Sequence, residues 1–469
     1  MSASPYFDAF SAGELLGEYP VGEEFLARFS GMSRDELSDL QQRRFLALVE
    51  WGWQIPFYRR LWTGAGVAPG DIASLEDCSR LPVYDKSDLM ESVAAHPPLG
   101  DFAAPEGVQL PMVVHTTSGT TGSPQPLIFG PRGREIQNIL LARAYRLQGL
   151  DAGAVVQSCY GHGMINGGHY VREAFLHYTD ALFLSAGTGV ETPSVRQVAL
   201  MQSFGVNTLV GFADYIRKLA GVARECGIEP GCDIRIRMIS GHLGLESREE
   251  LSELWGGPEL FDWYGVGDTG AIAAEGADHA GMYVWEDAQR VELLDVETGE
   301  LLVPEPEARG EMVVTCLYKT DAFPVIRFNT HDITEVLGGA GGFDLPFRRI
   351  AGFRGRADNM VKLRGINIYP QAVGAALQDI DGCIGEYVCI VERDASGRDE
   401  LTVQAEATEA ADAADAAALH ERCLERLHQA LGIAVAVELT APGGTAALTE
   451  INSRQKPLRL IDRRNLEGR

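Results

Sequence analysis

The chain has 469 residues, enough for two to four domains at roughly 100–200 residues each. Acidic residues outnumber basic ones, 66 against 40, giving a formal net charge of −26. That balance excludes a general nucleic-acid binder, because non-specific binding to a phosphate backbone is driven by Lys and Arg. The 45% apolar and 23% charged fractions match globular proteins and exclude a mainly disordered chain. The eight cysteines form no C-x-x-C pair, so zinc and redox motifs are not indicated. The start, MSASPYFDAF, lacks the basic and apolar regions of a signal peptide, and no apolar run reaches the roughly 18 residues that span a bilayer. A cytoplasmic protein with reduced thiols and no membrane partner is the expectation.

From Arg34 to Trp53 the apolar residues recur at near-helical spacing, and Pro56, Gly64, Gly66, Pro69 and Gly70 then interrupt the pattern. This reads as a helical cap. From Leu110 onward, apolar β-rich runs (PMVVHTT, AVVQSCY, ALFLSA, VNTLVGF, IRIRMISG) alternate with helical segments such as Gly133 to Gln148 and Ser194 to Phe204. Alternation of this kind predicts an α/β domain with a largely parallel sheet. Between Gly281 and Leu337 the helices drop out, which predicts antiparallel strands. The Gly- and Arg-rich stretch Gly352 to Gly365 is the linker candidate. The expected fold is therefore α/β, with a large N-terminal domain of mixed sheets and helices over 1–354 and a small mobile α+β C-terminal domain over 355–469. The Ala-rich segment Ala407 to Leu419 leads into a helix through Leu431 and reads as a solvated face.

The segment richest in chemistry is TTSGTTGSP, Thr116 to Pro124. Glycines among hydroxyl residues offer backbone N–H groups and hydroxyl donors that can wrap a polyphosphate. The spacing is not that of a Walker loop and no lysine follows; the flanking apolar runs place it between two strands. Alone, such a loop is more often a plain solvated hairpin, by roughly 3:1. What distinguishes it is order: WYGVGDTG (Trp263 to Gly270), VIRFNTHD (Val325 to Asp332), GRADNMVKLRGINIYP (Gly355 to Pro370) and Lys456 in SRQKPLR follow in succession. This succession resembles the adenylate-forming superfamily of acyl-CoA synthetases, adenylation domains and luciferases, and within it the phenylacetate-CoA ligase family. The stretches Ile55 to Asp77, Tyr160 to Gly168 and Val284 to Leu302 share the resemblance, which covers the chain from about residue 45.

The resemblance implies a two-step reaction. A carboxylate attacks the α-phosphorus of ATP, pyrophosphate leaves, and the acyl-adenylate passes its acyl group to a thiol. It implies a phosphate loop at Thr117, Ser118, Gly119, Thr120, Thr121 and Gly122, and a catalytic lysine, Lys456, beside the phosphorus. Magnesium would be held through Asp268, which acts with Lys456 in catalysis. Gly241, Tyr264, Asp332 and Arg356 are implied at the nucleotide. Asp332 suits the ribose diol because a carboxylate accepts twice. Asp358 is implied as the hinge about which the small domain alternates between the two steps, bringing Lys362 and Gly365 to CoA or another acceptor. Tyr160, His162, Gly163 and Asn166 are implied at the acid pocket, whose aromatic and small residues suit an aromatic acid.

Departures accompany the resemblance. Gln125 stands near the place where many relatives carry lysine, and the usual YG-x-[ST]-E becomes Tyr264, Gly265, Val266, Gly267, Asp268, losing a hydroxyl and shortening the metal-linked acid. Asn329 and His331 replace expected arginines, and His331 reads as a surface turn residue. The leading expectation is an AMP-forming ligase using ATP, magnesium and CoA on an aromatic or arylacetic acid, with a homodimer as the assembly. Two alternatives stay open. One is an enzyme of secondary metabolism that hands the activated group to an acyl carrier protein or an amine. The other is a nucleotide-binding homologue without turnover.

Overall fold

A computed structural model gives the fold and describes residues 5–105, 110–117, 124–243, 248–357, 361–363, 366–378, 380–393, 399–408, 413–451 and 457–464. The chain forms two units. The larger takes in Met1–Gly244, Arg248–Thr330 and Thr334–Gly352; the smaller takes in His331–Ile333 and Phe353–Arg469. No helix among the described residues is long and apolar enough to cross a membrane.

Helices α1 (Ala12–Glu18), α2 (Glu23–Phe29), α3 (Arg34–Gly52), α4 (Pro56–Gly64) and α5 (Lys86–Ala95) open the larger unit. The third starts at a reciprocal cap: Ser33 Oγ accepts from the Glu36 N–H at 3.2 Å, and the Glu36 carboxylate accepts from the Ser33 N–H at 2.8 Å. Strands β1 (Val113–Thr116) and β2 (Pro126–Phe129) then pair antiparallel as a ribbon of their own. Helix α6 (Pro131–Leu147) follows, with Pro131 in its first turn and the Asp321 carboxylate accepting from the Gly133 N–H at 3.0 Å.

The main sheet has twelve strands among the described residues. Its parallel half is built from β3 (Val155–Ser158), β4 (Leu182–Ser185), β5 (Thr208–Phe212), β6 (Met238–His242) and β7 (Glu259–Val266), in the spatial order β4-β3-β5-β6-β7. These strands alternate with helices α7 (Asn166–Tyr178), α8 (Ser194–Phe204), α9 (Ala213–Glu225) and α10 (Arg248–Trp255). The sheet continues beyond β7 through β8 (Gly270–Glu275), β9 (Met282–Val284), β10 (Gln289–Leu294), β11 (Leu301–Leu302), β12 (Arg309–Cys316), β13 (Phe328–Leu337) and β14 (Arg349–Ile350). Pairing from β7 to β8 onward is antiparallel, at β8–β9, β10–β12 and β13–β14 among others. The sheet is therefore mixed, as expected, with a parallel half and antiparallel strands after Gly281; the antiparallel pairing begins earlier than the sequence suggested, at β7–β8. Helices separate the parallel strands, whereas the strands after Gly281 return through short turns that cannot span a parallel crossover.

Helix α6 is polar by sequence yet enclosed. Arg143 pairs with Asp287 in a fork at 2.8 and 3.2 Å, both side chains having no exposure. Near the start of α6, Glu135 accepts from Tyr6 (2.8 Å) and Tyr178 (2.8 Å) and meets His177 Nδ1 at 3.0 Å. Burial alone would raise the Glu135 carboxyl, but His177 and the two hydroxyls hold it below its ordinary 4.5. The bond to Glu135 raises His177 above 6.5. Both shifts favour the charged forms. Glu135 adds stability above about pH 4.5 that is lost as pH falls through its lowered value, and His177 adds stability below about pH 6.5 that is lost as pH rises through its raised value. The pair should stabilise the fold most between about pH 4.5 and 6.5. A His177→Gln variant should lose stability relative to the parent in that window and match it at pH 9. A difference that does not vary with pH would contradict the pairing.

The smaller unit holds a hairpin of β15 (Val361–Leu363) and β16 (Ile366–Ile368), then α11 (Pro370–Gln378), β17 (Cys383–Arg393), β18 (Asp399–Ala407), α12 (Ala413–Leu431), β19 (Ala436–Thr440), α13 (Ala446–Thr449) and β20 (Leu460–Asp462). Its four-stranded sheet runs β19-β18-β17-β20. Val373, Leu377, Val391, Leu401, Val403, Cys423 and Leu427 form the core between sheet and helices.

Candidate functional site

In open α/β sheets, ligands bind outside the carboxyl ends of the parallel strands. Tyr160 follows β3, Gly241 and His242 end β6, and Tyr264 lies near the end of β7. The Tyr160 hydroxyl donates to the Gly211 carbonyl at 3.2 Å and lies 2.8 Å from His242 Nδ1. Phe212 stacks on His242 at 5.2 Å and Trp263 approaches it at 4.2 Å, so the strand ends carry an aromatic box. Gly241 is required there, since a Cβ would collide with the Gly211 carbonyl on the neighbouring strand.

Of the other expected pocket residues, His162 is half-buried and Gly163 is exposed, both in the loop after Tyr160, while Asn166 opens α7. The Asn166 side-chain oxygen accepts from buried Arg134 at 2.6 Å, so its amide is fixed from behind. His169 Nε2 lies 2.7 Å from the His162 carbonyl, and the ring of His115 packs 4.9 Å from that of His169. Burial, with the charges of Arg134 and His169, pushes His115 down to about 4, which keeps it neutral at physiological pH.

The β1–β2 ribbon reaches the same strand ends. The Thr116 N–H donates to the Met164 carbonyl at 2.8 Å. The expected phosphate loop is closed at its base: the Thr117 N–H donates to the Gln125 carbonyl at 3.1 Å, and the Gln125 N–H donates to Thr117 Oγ1 at 3.3 Å. Ser118, Gly119, Thr120, Thr121 and Gly122 lie outside the described residues.

Asp268 sits in the turn from β7 to β8, facing the base of this loop. Its Oδ1 accepts from Gln125 Nε2 at 2.6 Å. Burial pushes its carboxyl up, to about 6, against the opposing charge of Lys319 and the Gln125 bond. Lys319 is buried and donates to the Asp268 carbonyl at 3.1 Å. At position 267, where the hydroxyl is lost, a Cβ would meet Leu127 Cδ1 of β2 at 2.6 Å, so that side chain would have to shift to admit a larger residue. Among the described residues no group of three or more His, Cys, Asp or Glu side chains could hold a metal ion. A single carboxylate nevertheless fits magnesium, which is ordinarily held by one or two carboxylates together with substrate phosphates.

Asp332 and Arg356 belong to the smaller unit. Arg356 Nη1 donates to Asp332 Oδ1 at 2.8 Å. Backbone bonds from Ile333 to Gly355, Arg354 to Ile333 and Ala357 to His331, each 2.8 Å, align the two segments. His331 was expected at a surface turn; instead it is half-buried within β13 at φ 56°. This cross-segment bonding draws it into the strand. Arg327, in the same motif, is occupied structurally, pairing with Glu292 at 3.1 Å and donating to the Ser79 carbonyl at 3.0 Å. Lys456, Asp358 and Gly365 lie outside the described residues, and of Lys362 the backbone alone is described, in β15 opposite Asn367.

Sequence reasoning missed Lys319, His242 and Phe212. The latter two stood at the ends of predicted strands, which was a usable signal. A buried lysine in TCLYKTDAF carries no local signal at all.

Comparisons with known proteins show which family the chain is similar to. Residues 365–464 match the AMP-binding enzyme C-terminal domain. The chain is 30% identical to a phenylacetate-coenzyme A ligase of Aromatoleum evansii over 382 residues, covering 80% of this chain and 82% of that protein. It is 29% identical to one of Thermus thermophilus over 443 residues, covering 88% and 94%. The solved structure of a 2-hydroxyisobutyryl-CoA ligase in the postadenylation state, bound to 2-HIB-AMP, matches with a TM-score of 0.81 at 28% identity, covering 94% of this chain and 92% of that one. With the ribbon, the strand-end site and the C-terminal unit all in place, the chain belongs to the phenylacetate-coenzyme A ligase family of adenylate-forming enzymes.

Proposed function

We propose that the protein activates an aromatic or arylacetic carboxylic acid with ATP, forming the acyl-adenylate and pyrophosphate, and then transfers the acyl group to CoA. The observation that carries this reading is the meeting of the Thr117–Gln125 clamp with Asp268, on a sheet whose parallel strand ends carry the aromatic box of Tyr160, Phe212, His242 and Trp263. Loop N–H groups and hydroxyls receive the phosphates, and magnesium, when bound through Asp268, neutralises charge on them. Gly241 and Tyr264 border the nucleotide. Asp332 accepts from the ribose hydroxyls, and Arg356, which holds Asp332 in place, reaches the nucleotide with it. Lys456 stands beside the α-phosphorus in the first step. In the second, the domain over 355–469 turns about Asp358 and presents Lys362 and Gly365 to the pantetheine arm.

The thiol of an acyl carrier protein carries the same pantetheine arm and is the alternative acceptor. The same reading places the enzyme in the cytoplasm, where its eight cysteines stay reduced, with a homodimer as the assembly. Incubation with magnesium, ATP and a panel of aromatic, arylacetic and short hydroxy acids should give acid-dependent pyrophosphate exchange, and added CoA should yield a thioester. Exchange without thioester would sink transfer to CoA and leave the carrier-protein route. ATP binding with no exchange for any acid in the panel would favour the homologue without turnover.

A further inference from the structure

Lys319 is a fully enclosed cation to which the reaction described above gives no part. Its side chain is 1% exposed, its ammonium donates to the Asp268 carbonyl at 3.1 Å, and it lies 4.7 Å from the ring centre of Phe323 and 5.5 Å from that of Phe129. Enclosing an ammonium is costly unless charge and hydrogen bonds compensate it. Burial pushes the Lys319 ammonium below its ordinary 10.5, and Cys316, Asp268 and Asp321 oppose that push. The turn above it is held by other buried groups as well. Gln125 donates to the Asp268 carboxylate at 2.6 Å, and Tyr318 and Gln289 donate to the Thr269 carbonyl at 2.7 and 3.0 Å. Among these, Lys319 brings the charge. Lys319 meets the turn at the Asp268 carbonyl, while Gln125 meets the Asp268 carboxylate with a neutral amide.

We propose that Lys319 is a positioning residue for adenylation: it fixes the turn that carries Asp268 and supplies, from beneath, the positive charge that Gln125 does not bring to the phosphate loop. The inference rests on Asp268 facing the nucleotide phosphates and their magnesium. Removing a supporting group behind a metal-linked carboxylate ordinarily costs about 10- to 100-fold in metal affinity or activity.

The test uses full-length Lys319→Met, Lys319→Arg and the double variant Lys319→Met/Gln125→Lys, with Asp268→Asn as control. Calorimetry with magnesium and ATP in the absence of acid reads binding directly, and pyrophosphate exchange at varied magnesium–ATP separates KM from kcat. Lys319→Met should weaken magnesium-dependent ATP binding and lower exchange by roughly 10- to 100-fold, leaving thioester formation from supplied adenylate within about twofold. Lys319→Arg and the double variant should each recover part of the loss, because each restores a cation on one side of Asp268. Unchanged binding and exchange in Lys319→Met overturns the inference, as does equal loss in both half-reactions or no recovery by either rescue. If Lys319→Met does not fold, Lys319→Gln, which keeps a polar end but removes the charge, takes its place against the same thresholds. An Asp268→Asn protein that keeps normal exchange would remove the underlying reading of Asp268; collapse in Asp268→Asn with none in Lys319→Met removes this inference alone.

Discussion

Lys456→Ala should lower acid-dependent pyrophosphate exchange by about 10²–10³-fold, the loss that follows removal of one preorganised group from a site where transition-state charge develops. Attack on the α-phosphorus spreads negative charge over oxygens already flanked by two further phosphates. The chain's net charge of −26 makes the surroundings unhelpful, so local cations carry the burden. Thioester formation from supplied adenylate places no such demand, since the phosphorus undergoes no reaction in that step. The same variant should keep that activity within about threefold if the small domain alternates between two orientations. The two half-reactions should therefore part company in one protein. Equal losses in both would contradict alternation and recast Lys456 as a residue needed for folding or general binding.

Asp287→Ala should destabilise the larger unit by about 3–5 kcal/mol, because it strands the buried guanidinium of Arg143 without its anion. Arg143 is forked onto Asp287, donates through Nε to the Pro20 carbonyl at 3.1 Å, and lies 4.4 Å from the ring centre of Phe25. Arg44 also reaches Asp287, at 3.7 Å from the carboxylate, but keeps Glu18 as a second partner at 3.5 Å. A loss of this size is a large share of the 5–15 kcal/mol typical of a folded domain. Replacing both members, as Arg143→Met with Asp287→Leu, should recover most of it, since the price of a broken buried pair is chiefly the charge left behind. Urea midpoints at constant slope report both variants. A double variant as unstable as Asp287→Ala would show that the pair contributes through geometry that apolar side chains cannot reproduce.

Much of the fold was legible because its signals are local. Ser194–Phe204 appears as the predicted helix with Gly205 ending it at φ 65°, and the strands around the TTSG segment pair as the flanking apolar runs suggested. The change from parallel to antiparallel pairing at β7 was only half visible, because a strand pattern does not encode the direction of its neighbour. Strand β7 itself, ELFDWYGV, is buried on both faces over most of its length and so lacks the alternation that marks a half-exposed strand. The ordered motifs located candidate site residues, but their partners were beyond reach. Gln125 and Asp268 are 143 positions apart in sequence, Asp268 and Lys319 are 51 apart, and the hydrogen bonds joining them exist only after folding. His331 was misplaced for the same reason, since its place within β13 depends on bonds to residues 354–357.

If the loop closed by Thr117 and Gln125 receives a polyphosphate as proposed, its clamp also bears on how tightly that ligand is held. The two residues are eight positions apart, and bringing the ends of such a segment together costs an unconstrained chain about 2 kcal/mol by the (3/2)RT ln n scaling alone. Because the β1–β2 ribbon closes those ends when the protein folds, that entropy is lost before any nucleotide arrives. The folding equilibrium bears the cost and the binding equilibrium does not. Part of the affinity expected of such a loop would thus be set by two bonds at its own base.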